Sequence, residues 1–156
     1  MQLADEDATC LFAQRFARAC IDLRLIQPGL VVYLDGDLGA GKTSFCRAFI
    51  QYFLPEQRVK SPTYTLVEGY SLAQATVFHF DLYRLCEPEE LEYIGVRDLL
   101  EPPFVALVEW PTKGEGVLPA ADFVINLHPA QAGRELVLQA VSASAKSVWA
   151  GLELRV

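Results

Sequence analysis

The stretch Gly36-Asp37-Leu38-Gly39-Ala40-Gly41-Lys42-Thr43 constrains this chain more than any other. It satisfies the pattern G-x-x-x-x-G-K-[ST]. An apolar, β-branched run, Leu30-Val31-Val32-Tyr33-Leu34, precedes it and reads as a buried strand. The segment from Thr43 to Phe53 follows it and reads as a helix, with Phe45, Cys46, Phe49, Ile50 and Phe53 on one wide apolar face and Pro55 as its stop. A glycine turn between a strand and a helix is built to hold a polyphosphate. Glycines let the backbone curl until several N–H groups converge on one point. The helix opening there adds unbonded N–H groups and its positive dipole end. Lys42 supplies a charge for the β- and γ-phosphates, and the Thr43 hydroxyl a ligand for Mg²⁺. The alternative, a glycine-rich turn with a chance lysine, does not account for the strand before and the helix after.

The remaining segments predict a mixed α/β domain. Residues 5–26 have helical apolar spacing (Ala8, Leu11, Phe12, Phe16, Cys20, Leu23), with acids Asp5, Glu6 and Asp7 at the positive end and Gln27-Pro28-Gly29 as terminator. Tyr64–Tyr70 and Ala75–Phe80 are strand-like at hairpin spacing. Pro88 to Leu100 suggests short helical turns broken at Gly95. Phe104–Val108 reads as a second buried strand, residues 110–121 as a loop, and Asp122–His128 and Arg134–Val141 as strands around the turn Pro129–Gly133. One more strand is expected from Val148. The hairpins force antiparallel neighbours, so the sheet cannot be wholly parallel. The expected fold is a P-loop NTPase-like three-layer α/β sandwich with a mixed sheet, formed by residues 1–156 as one domain.

With 156 residues the chain can bury a core without metal or disulfide. Its net charge of −7 argues against binding DNA or RNA by itself, which takes a cationic surface. No apolar run is long enough to span a membrane, and the start Met1-Gln2-Leu3-Ala4-Asp5 lacks the basic and apolar regions of a signal peptide. Cys10, Cys20, Cys46 and Cys86 form no C-x-x-C pair, and read as reduced, packed thiols. Together these features predict a cytoplasmic protein.

Two acids stand where a triphosphate site needs a metal carboxylate. Glu109 ends the more uniformly apolar run and is the first choice for the metal. Asp81 ends a run interrupted by His79, and is a candidate for orienting the attacking water or holding the metal's outer shell. Each could instead merely cap a turn. His79, between Phe78 and Phe80, reads as a structural histidine rather than a ligand. Ser61-Pro62-Thr63-Tyr64 is placed to respond to a γ-phosphate or to be a plain connection. Trp110 packs either on a mobile loop or a partner, or within the fold. Arg84 and Arg134 are each able to meet phosphate or a nucleotide edge, or to form surface ion pairs.

These stretches together resemble the bacterial TsaE (YjeE) ATPase family, which serves threonylcarbamoyladenosine biosynthesis on tRNA. The matching residues are the glycine loop, Ser61-Pro62-Thr63-Tyr64-Thr65-Leu66-Val67-Glu68, His79-Phe80-Asp81-Leu82-Tyr83-Arg84-Leu85, Gly95-Val96 through Asp98, and Val108-Glu109-Trp110-Pro111. The resemblance covers residues 5 to about 140. It implies that Asp37, Leu38, Gly39, Ala40, Gly41, Lys42, Thr43 and Ser44 hold ATP or ADP, with Thr9 and Arg134 approaching the nucleotide from outside the loop. Thr43 and Glu109 would hold Mg²⁺; Lys42, Asp81 and Glu109 would serve hydrolysis; Thr63 would lie in a nucleotide-sensing switch with Trp110 beside it. It also implies partners of the TsaB and TsaD types. TsaD transfers the threonylcarbamoyl group to adenosine 37 of tRNAs reading codons that begin with A, and the ATPase resets the complex between turnovers. Transfer RNA is then met only through the partners, which suits an acidic chain. Two positions depart from the family pattern: Ser44, where a second threonine is common, and Thr112, where an acid often follows W-P.

A small-molecule kinase is the alternative, since many are single domains with such a loop. Kinases need cationic groups over the transferred phosphate, and no Arg-rich lid segment is visible. A module using nucleotide only as a conformational switch is a third reading, in which Asp81 is structural. The absence of N-K-x-D weighs against guanine.

Overall fold

A computed structural model describes residues 1–150. Asp5, in extended conformation, caps helix α1 (Glu6–Asp22) by accepting from the Ala8 amide at 2.8 Å, and Glu6 and Asp7 occupy the first turn. The helix ends at Asp22, short of the expected 26, because Arg24 turns into the left-handed region at φ 55°. Strand β2 (Leu30–Asp35) runs into the glycine loop, and helix α2 (Lys42–Phe53) follows. Then come the hairpin β3 (Val67–Ser71) and β4 (Thr76–Asp81), the four-residue helices α3 (Glu90–Tyr93) and α4 (Val96–Leu99) hinged at left-handed Gly95, and β5 (Phe104–Glu109). A 3-10 turn, Pro111–Gly114, leads to β6 (Phe123–Pro129) and β7 (Arg134–Ala140).

Two expectations are corrected here, and one strand is added. Residues 64–66 are turn rather than strand, since Leu66 takes φ 66°, incompatible with a ladder. The segment ending in Val148 and Trp149 is a helix, α5 (Ala143–Trp149), capped by Ser142, whose hydroxyl accepts from the Ala145 amide. The remainder of that expected strand lies outside the described residues. A short strand not foreseen, β1 (Gln2–Leu3), pairs with β7.

The sheet of the described residues has seven strands in the order β1-β7-β6-β2-β5-β4-β3. Its centre (β6, β2, β5, β4) is parallel, and β1, β7 and β3 join antiparallel, so the mixed sheet is as expected. Period-two alternation sorts the strand residues onto two faces. Val32, Leu34, Val77, Val105, Leu107 and Ile125 pack with α1 and α2. Val31, Phe80, Ala106 and Val108 pack on the other side with Leu91 of α3 and Val96 of α4. Three layers result, and the carboxyl ends of β2, β5 and β4 come together at one edge, where open α/β sheets carry their sites.

Candidate functional site

At that edge lies a cleft of about 390 Å³. The Leu38–Ser44 stretch forms one wall; Ser61, Thr63, Asp81, Tyr83, Arg84, Glu109 and Trp110 form the other. Two glycines are demanded by space and by torsion. Gly36 (φ 145°) passes so close to β6 that a Cβ would lie 2.4 Å from the Leu127 carbonyl oxygen. Gly41 (φ 107°) is the residue before α2, and a Cβ there would lie 1.9 Å from the Arg134 guanidinium. Lys42, Thr43 and Ser44, which open α2 and whose amides no helix can bond internally, line the cleft.

Lys42 is buried, and its ammonium donates to the carbonyls of Gly36 and, at 2.9 Å, Asp37. It also stands 4.1 Å from the centre of the Trp110 ring. Burial pulls its pKa below the usual lysine value, while Glu109, Asp35, Asp81 and Asp37 pull it back up. The ammonium thus serves as one cation among four acids.

Parallel pairing of β4 with β5 sets Asp81 opposite Glu109 in register, and both side chains are buried. Glu109 takes the Thr43 hydroxyl almost symmetrically, at 3.0 Å to Oε1 and 3.1 Å to Oε2. Its Oε1 also lies 2.7 Å from His79 Nε2. Asp81 accepts from the Ser61 hydroxyl (2.9 Å) and from the Tyr83 amide (3.1 Å). The Ser61 oxygen is in turn 2.9 Å from the Thr63 hydroxyl, so the 61–64 segment is tied to Asp81 by a short hydroxyl chain. Trp110 takes φ 58° just before Pro111, an uncommon torsion for a bulky residue, and its ring meets Tyr83 with centroids 5.0 Å apart.

Most residues singled out from the sequence therefore meet. Lys42, Thr43, Ser44, Thr63, Asp81, Glu109 and Trp110 all line the cleft with Leu38, Gly39, Ala40 and Gly41. Ser44 is also bonded to Glu6 of α1 at 2.7 Å. Asp37 contributes its carbonyl to Lys42, and Arg134 buttresses the loop from behind by donating to the Ala40 carbonyl at 3.1 Å. Thr9 does not line the cleft: it is fully buried in α1, its hydroxyl donating to the Asp5 carbonyl at 3.2 Å. From the sequence, Tyr83 has no role of its own, Ser61 enters only as part of the 61–64 segment that could respond to a γ-phosphate, and His79 is marked as structural rather than a ligand. The signal for His79 was its place two residues before Asp81, which on a strand means the same face.

The Thr43 hydroxyl and the Glu109 carboxylate are hard oxygen donors facing one another beside an ammonium group and a helix mouth. That set suits Mg²⁺ or a like hard cation next to a polyanion.

The chain matches the family model described as threonylcarbamoyl adenosine biosynthesis protein TsaE over residues 3–136. It is 42% identical to the Haemophilus influenzae tRNA threonylcarbamoyladenosine biosynthesis protein TsaE, over 94% of this chain and 92% of that protein. A Rickettsia bellii protein of the same name is 38% identical over 80% of this chain and 83% of its own length. Among solved structures it resembles Bacillus subtilis YdiB, with a TM-score of 0.71 and 25% identity, covering 95% of this chain and 88% of that one. The match over most of its length, with the strand-end acids and glycine loop gathered in one cleft, makes this chain a member of the TsaE family.

Proposed function

We propose that this chain is the Mg²⁺-dependent ATPase subunit of a system that forms N6-threonylcarbamoyladenosine at position 37 of tRNA, acting in the cytoplasm with partners of the TsaB and TsaD types. The observation that carries the ATPase reading is the meeting of the Thr43 hydroxyl with the Glu109 carboxylate beside Lys42 at the start of α2. The biological half rests on the names of the relatives.

In this reading the amides from Gly39 to Ser44 and the Lys42 ammonium bind the phosphates. Thr43 and Glu109 would hold Mg²⁺, which supplies charge neutralisation for the phosphoryl oxygens. Asp81 orients the attacking water, and the Ser61–Thr63 segment, bonded to Asp81, is where a γ-phosphate is sensed. Among the described residues, Arg84 is the arginine lining the cleft, and its guanidinium lies over the Tyr64 ring, 4.6 Å from the centroid. Charge that stabilises phosphoryl transfer then awaits a rearrangement or a partner, so the isolated chain is expected to turn over slowly.

The test measures phosphate release with and without Mg²⁺, alone and with TsaB- and TsaD-type proteins from the same cell. Hydrolysis that needs Mg²⁺ and rises with the partners supports the reading; rapid hydrolysis by the isolated chain counts against the partner role. Depletion in the native cell, followed by mass spectrometry of tRNA nucleosides, decides the biological half. Unchanged threonylcarbamoyladenosine would sink it.

A further inference from the structure

His79 lies on β4 in register with Leu107 of β5, one alternation below the pair Asp81 and Glu109. Its side chain therefore points to the α2 side of the sheet, directly beneath the cleft, and it has no exposure to solvent. A carboxylate accepts hydrogen bonds and cannot donate them, so the 2.7 Å contact between Nε2 and Glu109 Oε1 places the ring proton on Nε2. Nδ1 is buried and has no hydrogen-bond partner among the described residues.

An imidazole with one nitrogen unsatisfied, bonded to a buried carboxylate, is a poor way to stabilise a core. A well-packed apolar side chain of the same size avoids that desolvation. What the ring does supply is direction. The one Thr43 proton is shared between the two Glu109 oxygens at 3.0 and 3.1 Å, and so does not distinguish them. His79 does, because it bonds Oε1 alone. With Oε1 anchored from below, Oε2 is the oxygen left to turn towards the cleft.

We propose that His79 is a positioning residue for Glu109, selecting the carboxylate oxygen that faces the ion and so setting the affinity of the site for a divalent cation. The inference rests on the Thr43–Glu109 pair being that cation site. Cys46, one helical turn after Thr43, completes the surroundings: its sulfur, a ring nitrogen of His79 and a Glu109 oxygen lie within 4.8 Å of one another. Burial, and then the charges of Glu109 and Asp81, hold the Cys46 thiol in its neutral form. Its sulfur stands beside the ring as a close neighbour.

The experiment titrates Mn²⁺ into the full chain with a non-hydrolysable ATP analogue, reading free ion by electron paramagnetic resonance. It measures binding of a fluorescent ATP analogue without metal in parallel. His79→Leu keeps the volume and removes the donor; it should weaken Mn²⁺ binding by about 10- to 100-fold and leave metal-free nucleotide binding unchanged. His79→Gln, whose amide nitrogen reaches towards the Nε2 position, should restore most of the loss, whereas His79→Asn, too short, should not. Equal weakening in Leu and Gln, or wild-type Mn²⁺ binding in Leu, overturns the role of His79 while the site itself stands. Wild-type protein that binds no Mn²⁺ with the analogue overturns the site and this inference with it. If Leu does not fold, the Gln and Asn pair carries the comparison. Independently, ¹⁵N spectra of the wild-type imidazole should show Nε2 protonated, and an unprotonated Nε2 refutes the proposal.

Discussion

On the α1–α2 side of the sheet, Phe16 stands edge-on to Phe123 at 5.3 Å and 6.1 Å from both Phe45 and Phe49, with Phe12 beside Phe45 at 6.3 Å. On the other side the cover is two helices of four residues, hinged at Gly95, and a 3-10 turn. Tyr93 of α3 is 90% exposed there. Helices that short contribute little by themselves and depend on the few side chains they bury, chiefly Leu91 and Val96. The two halves of the cleft inherit this difference. The glycine loop, Lys42 and Thr43 belong to the interlocked side, and His79 braces Glu109 from that face. Ser61, Thr63, Tyr83, Arg84 and Trp110 belong to segments with looser support. One half suits groups that must not move, and the other suits groups that must.

The largest expected effects test the packing contrast itself. Phe16→Ala should cost about 3–5 kcal/mol of unfolding free energy, because neighbours locked in a ring cluster cannot close the gap. Leu91→Ala should cost about 2–3 kcal/mol, the low part of the range, since short hinged helices can settle into the space. Urea unfolding with unchanged slope measures both. Equal losses would break the comparison.

Next come the groups of the cleft. Lys42→Met and Glu109→Gln should each lower ATP turnover by about 10²- to 10³-fold, the usual result of deleting one preorganised electrostatic contact. Asp81→Asn keeps the Tyr83 amide bond available, so it should lower turnover by about 10²-fold while nucleotide affinity changes little. Single-turnover hydrolysis and equilibrium nucleotide binding separate the two patterns. An Asp81→Asn protein that hydrolyses normally would leave Asp81 a structural cap.

The parts legible in the sequence are those whose signals are local. Asp5, the Thr43–Phe53 periodicity and the β-branched run at 30–34 marked α1, α2 and β2 within a few residues. The glycine loop marked the cleft, and Glu109 and Asp81 were found because an apolar run ending in an acid is a local pattern. What stayed hidden depends on partners far along the chain. Gln2–Leu3 is a strand only because β7 offers it an edge. Arg134 reaches the Ala40 carbonyl across 94 residues. The contact of His79 with Glu109 needs the β4–β5 register, which no spacing within either strand reveals. Helix α5 differs for another reason: the strand expected from Val148 leaves out Ser142 before Ala143, a serviceable cap signal.

A smaller effect sharpens the picture of the adjustable half. Ser61→Ala removes the hydroxyl that bridges Asp81 and Thr63. The site is partly exposed, so water replaces much of the bond, and the expected cost is about 1 kcal/mol or less. The change should appear as faster amide exchange confined to residues 60–66. Exchange that spreads into α2 would mean the two halves are one unit.

The smallest expected effect is alkaline, and it also divides by side. Burial raises the Cys20 and Cys46 thiols above the ordinary value of 9.0 on the α1–α2 face, and raises the Tyr33 phenol above 10.0 on the other. Each group stays protonated in the folded chain at a pH where the unfolded chain has released its proton. Its contribution is therefore complete below the unfolded pKa and is lost as pH rises through the folded one. Stability should begin to fall above about pH 9 through the thiols, and a further loss should begin above about pH 10 through Tyr33. The tyrosine share is the lesser, because its ring is only half-buried, although its hydroxyl donates to the Pro119 carbonyl at 2.5 Å. Cys20→Ala should flatten the onset near pH 9, and Tyr33→Phe only the portion above pH 10. Unfolding midpoints followed from pH 8 to 11 check this. A Tyr33→Phe protein with an unaltered slope above pH 10 would mean that this face opens before the phenol ionises.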